Sequence, residues 1–88
     1  VHSAEGEFEV AIRFSARAAD YIREKKWHDT QENIEHKNGE LEVRMKLSSL
    51  KEVQRWVLSW GGDAVALRPP ELVHSVQSAA AALLKNHP

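Results

Sequence analysis

Residues 8–14, FEVAIRF, alternate without a break, with Phe8, Val10, Ile12 and Phe14 on one side and Glu9, Ala11 and Arg13 on the other. A side-chain period of two belongs to an extended strand with one covered face. The run LEVRMKL, residues 41–47, repeats the pattern: Leu41, Val43, Met45 and Leu47 point inward, Glu42, Arg44 and Lys46 outward. One antiparallel register satisfies both runs. It pairs Phe8 with Leu47, Val10 with Met45, Ile12 with Val43 and Phe14 with Leu41 on the inner side. On the outer side it pairs Glu9 with Lys46, Ala11 with Arg44 and Arg13 with Glu42, and two of these three pairs join opposite charges, which cross-strand pairing favours.

The remaining elements follow from local signals. Ser15 precedes ARAADYIREKK as a helix N-cap. Asn38-Gly39 predicts a type I′ hairpin between a second strand and LEVRMKL, because that turn needs positive φ at both centres. Ser49 and Glu52 read as a capping box, ahead of Leu50, Val53, Val57 and Trp60 at helical spacing. Gly61 stands where that helix ends in the left-handed region. DAVAL is a fourth short strand at the sheet edge beside the first. Pro69-Pro70 opens a last helix, with Leu72, Val76, Ala79 or Ala80, and Leu83 as its apolar stripe. Trp56 and Trp60 are expected to cover the sheet or to seat that last helix.

The order β-α-β-β-α-β with an added C-terminal helix predicts an α+β, ferredoxin-like two-layer sandwich with a four-stranded antiparallel sheet. Right-handed crossovers set the first and third strands side by side in the middle. A single domain is expected over residues 7–86, with frayed ends at 1–6 and 87–88.

Composition narrows the function. Net charge is −1, so no strong field draws nucleic acid or an anionic membrane. There is no cysteine, hence no disulfide framework, thiolate metal site or cysteine nucleophile. No apolar run approaches the roughly 18 residues of a membrane span, and VHSAEGEFEV lacks the apolar core of a signal peptide. A cytoplasmic protein is expected. His2, His28, His36, His74 and His87 show no metal-ligand spacing, no paired carboxylates suggest acid–base work, and Gly61-Gly62 lacks the surroundings of a phosphate loop. No metal, cofactor or catalytic group is expected, and so no enzyme.

The outer face of the sheet is the remaining candidate. Its central strands carry no aromatic, which argues against base stacking of the RNA-recognition kind. Ala11, Ala64 and Ala66 are read there as small residues flanked by Arg13 and Arg44, allowing close approach by another surface. Three readings stay open at this point. The face is simply hydrated, with Arg13 paired to Glu42; or it is an interface with another domain or protomer; or it contacts a nucleotide or oligonucleotide effector through Arg13 or Arg44.

The succession VAIRFS, AADYI, WHDTQ with Trp27, His28 and Gln31, NGELEV, and EVQRWVLSWGGDAVALRPPEL resembles one known family. It is similar to the C-terminal extension (WCX domain) that follows the WYL domain in bacterial winged-helix transcriptional regulators of the DeoR- or YafY-like kind. The resemblance runs over roughly residues 7–86, with Gly61-Gly62 and Pro69-Pro70 doubled where the pattern needs one of each. It implies a regulatory domain that helps a transcription factor homodimerise and packs on an upstream WYL domain. It also implies sharing of a nucleotide or single-stranded nucleic acid effector with that WYL domain, without operator binding of its own. Arg13, His28 and Arg44 are then the candidates for effector or interdomain contact. The alternative is a free-standing, ACT-like module that binds an amino acid.

Overall fold

In the computed structural model, which describes residues 8–88, the alternating runs form strands β1 (Phe8–Phe14) and β3 (Leu41–Leu47), paired antiparallel in all seven expected positions. The elements follow in the order β1, α1 (Ala16–Arg23), β2 (Glu32–Glu35), β3, α2 (Lys51–Ser59), β4 (Ala64–Arg68) and α3 (Pro70–Asn86). The sheet order is β2-β3-β1-β4, with every pairing antiparallel. This is the ferredoxin-like α+β sandwich with an added C-terminal helix. The expected frayed segment 1–6 lies outside the described residues. At the other end, His87 Nδ1 stays 2.8 Å from the Leu83 carbonyl.

The core lies between the sheet and one layer of helices. Val10, Ile12, Phe14, Leu41, Val43 and Met45 meet Ala18, Ala19 and Ile22 of α1, Val53 and Val57 of α2, and Leu72 of α3. Trp56 and Trp60 both meet the Phe14 ring edge to face, at 5.3 and 5.8 Å between centroids. Trp27 packs against Trp56 with centroids 5.2 Å apart and the rings tilted by 45°. The tryptophans therefore roof the sheet around Phe14.

The ends of the helices follow sequence only in part. The Ser15 hydroxyl accepts the Ala18 N–H and donates to Asp63, tying the start of α1 to the turn before β4. Gly61 takes φ +60° just after Trp60, where a side chain would be strained. Ser49 does not form the expected capping box. Helix α2 starts at Lys51, behind Leu50, and the Ser49 hydroxyl accepts the Lys51 N–H as a local turn instead. The Asn38-Gly39 turn is also not type I′. Only Gly39 has positive φ, +86°, and its N–H reaches the His36 carbonyl. The loop is thus the three-residue kind, Lys37 to Gly39, with glycine at the left-handed position.

One phase is reversed. Ala64 and Ala66 stand opposite Phe14 and Ile12, so both face the helices and not the open side. Their assignment to an open-face interface is corrected accordingly. In AVAL both alternating sets are apolar, so polarity cannot fix which set turns inward; the partner strand decides. Val65 is the outward residue, 54% exposed. A register shift at Ala11/Ile12 then sets Arg68 opposite Ala11.

Candidate functional site

The helices cover one face of the sheet and leave the other bare. Because β-strand side chains alternate, the register defines the bare face row by row. One row runs Glu32, Arg44, Ala11, Arg68 across all four strands, and the next runs Ile34, Glu42, Arg13, Val65. Ala11 is 0% exposed although no helix lies over it. Its neighbours in the row are two long side chains, Arg44 and Arg68.

Glu42 is the electrostatic centre of this face. It is only 7% exposed, and both its oxygens are engaged. Arg44 Nε donates to Oε2 at 2.8 Å, and His36 Nε2 lies 3.1 Å from Oε1. The Arg44 hydrogen bond, reinforced by His36, holds the Glu42 carboxyl below its ordinary value against the opposing effect of burial. Arg13 shares the Glu42 backbone register, but its side chain turns to Glu40, with Nε 2.7 Å from Oε1. The Arg13 Nε–H does not aim at that oxygen, so the contact is an ion pair without a directed hydrogen bond. Arg44 has taken the partner that sequence assigned to Arg13.

A pH dependence follows from Glu42. Its folded pKa lies below the unfolded value near 4.5, so the ionised form stabilises the fold fully above that pH. The benefit is lost as pH falls through the lower folded value. A Glu42→Gln chain is therefore expected to be less stable than the parent at pH 7 by about 1–2 kcal/mol. The gap should narrow below about pH 4.5. Urea unfolding at pH 7 and pH 3 measures it; a gap independent of pH would remove Glu42 from this role.

Toward one end of the open face, Arg44, Lys46 and Arg68 line a shallow depression of about 550 Å³ together with Glu9, Asp29 and Glu32. The α1–β2 loop forms its wall. The Thr30 hydroxyl accepts the Lys46 N–H at 2.9 Å, extending the sheet edge with a side chain. His28 is not part of this depression. Its Nδ1 is held by Thr30, and the ring lines a separate groove of about 290 Å³ with Trp27, Leu47 and Trp56. The structure thus brings Arg44 and Arg13 onto one face and sets His28 apart. Sequence reading missed Arg68, which lies just past AVAL and reaches the row only through the register shift.

Among the described residues, no group of three or more metal-ligating side chains converges, and no helix is long and apolar enough to cross a membrane. None of the curated proteins compared with this chain matches it. The sequence profile of the WCX domain matches residues 6–84, spanning all four strands and nearly all of the last helix. On that match, carried through the whole fold, the chain belongs to the WCX-domain family.

Proposed function

We propose that this chain is the non-catalytic, regulatory C-terminal domain of a bacterial transcriptional regulator. It helps the regulator dimerise and passes effector binding from an upstream WYL domain to a DNA-binding winged helix. Membership in the WCX family supports the regulatory setting. The observation that carries the contact surface is the bare sheet face, with Arg44 and Arg68 flanking the buried Ala11. Two guanidinium groups on the strands either side of β1 suit phosphate or carboxylate groups. The nearby carboxylates temper the field, in keeping with a shared site and not an autonomous one. Effector contacts that differ between two arrangements of the domains would shift their populations, and a coupling of about 1–3 kcal/mol is enough for useful control.

The test uses the chain joined to its upstream WYL domain and a labelled single-stranded DNA oligonucleotide, read by fluorescence anisotropy. Arg44→Ala and Arg68→Ala together are expected to weaken binding about tenfold. They should also lower the slope of log affinity against log salt by roughly 0.7 per arginine. Unchanged affinity and slope would exclude the row as an effector contact. The mixed charge of the depression also suits a zwitterion, so the ACT-like alternative has its own readout. A raised melting temperature of this 88-residue chain alone on adding free amino acids would favour it.

A further inference from the structure

The two edges of the sheet are unlike. The β2 edge is four residues long and carries Glu32, Asn33 and Glu35, all exposed. Charge and shortness of this sort discourage pairing with another strand. The β4 edge is guarded only toward its end, by the irregularity at Leu67 and by Arg68 and Pro69. Between Asp63 and Arg68 it presents Ala64, Val65, Ala66 and Leu67, with Val65 54% and Leu67 41% exposed. On one side β4 pairs with β1; on the other it pairs with no strand among the described residues.

We propose that β4 pairs antiparallel with β4 of a second copy about a twofold axis through Ala66, joining two four-stranded sheets into one of eight. This rests on the reading that the domain dimerises, and assigns the surface. Three features fit a second copy of the same chain. The segment Asp63–Arg68 has an acid at its start, four uncharged residues and a base at its end. Run against itself about Ala66, it sets each Arg68 across from the partner's Ala64, one residue from the partner's Asp63, so no like charges face each other. Second, the register centred on Ala66 sets Val65 across from the partner's Leu67, twice, so the exposed apolar side chains cover one another. Third, the guarded β2 edge disfavours the head-to-tail alternative that would propagate into fibres, leaving the closed twofold pair.

Helix α3 agrees with this axis. It packs over β4 and beside α2, and Gln54 of α2 donates to the Ser75 carbonyl. The flank turned away from α2, at helical spacing opposite Ser75, carries Val73, Gln77, Ala80 and Leu84. Leu84 is 80% exposed. In the twofold pair this flank and the same flank of the second α3 lie side by side, antiparallel, on the helix face of the joined sheet.

The experiment is light scattering of the 88-residue chain over a concentration series, with two variants. The parent is expected at twice its 10.0 kDa mass. Val65→Lys alters an exposed residue, so it should keep the parent's circular dichroism while weakening association at least tenfold. Ala66→Cys, in a chain that has no other cysteine, should give a covalent dimer on mild oxidation, since opposed strand residues lie within disulfide reach. A dimer indifferent to Val65→Lys and not cross-linked through position 66 would overturn the β4 assignment and leave dimerisation standing. A parent that stays monomeric up to about millimolar concentration would overturn both.

Discussion

A Phe14→Ala chain is expected to lose about 3–5 kcal/mol of stability, the usual cost of deleting a buried aromatic ring from a core that cannot collapse around the gap. Phe14 is 0% exposed and closes the end of β1, between Leu41 on β3 and Ala64 on β4. Above it stand Trp56 and Trp60, each meeting its ring edge to face. Such aromatic pairs add roughly 0.5–1.5 kcal/mol each beyond burial. Trp56 lies in the short helix α2 and Trp60 caps its end, so neither can follow the missing ring without dragging α2 off the sheet. A small domain has only about 5–15 kcal/mol to lose. With a urea slope of about 1 kcal/mol per molar, the midpoint should fall by about 3 M or more, and part of the population should be unfolded in buffer. Tryptophan emission follows the transition, since two of the three indoles touch the deleted ring. A shift below about 1 M would show that the Trp56–Trp60 roof is not held by Phe14.

Much of this arrangement was legible in the sequence, and the reason is specific. In β1 and β3 the two faces differ in polarity at nearly every step, so a slip of one residue would turn Glu42 and Arg44 into the apolar core and Val43 out of it. The register is then over-determined, and all seven pairs occur. β4 has no such contrast. Ala64, Val65, Ala66 and Leu67 are all apolar, and the phase comes only from the Phe14–Ala64 and Ile12–Ala66 pairs in space. Side-chain partners are a further step removed. Backbone register places Arg13 beside Glu42, yet a long arginine reaches several neighbours. Glu42 is claimed by Arg44 on its own strand and by His36 from the hairpin end, which leaves Arg13 to Glu40. Nothing in the linear pattern signals that exchange. The Arg44–Ala11–Arg68 row was half visible for the same reason: Ala11 and Arg44 follow from alternation, while Arg68 requires the register shift.

Helix α3 shows how unevenly the fold is held, and a Leu72→Ala substitution should expose it. Leu72 is the one fully buried residue among seventeen in α3. Beyond it, Val73, Val76 and Ala79 are half-buried, and from Ala80 onward every residue is exposed. Truncating Leu72 is expected to cost about 2–5 kcal/mol. That loss falls on an element otherwise tied down by partial contacts and the Gln54 bond to the Ser75 carbonyl. An element so anchored should open before the sheet does, as local unfolding draws on regions with few buried contacts. Native-state hydrogen exchange of the Leu72→Ala chain should therefore show α3 amides exchanging roughly 30- to several-thousand-fold faster. Amides of β1 and β3, whose core neighbours are chiefly α1 and α2, should change far less. The contrast with Phe14→Ala is the test: that change should speed exchange throughout. If Leu72→Ala instead lowers protection in β1 and β3 as much as in α3, the last helix is part of one cooperative unit. It could then not act as a separately adjustable layer over the β4 edge. If protection falls in α3 alone, the helix can loosen while the sheet persists. Anything that packs on its outer flank would then stabilise it by the same free energy with which it binds.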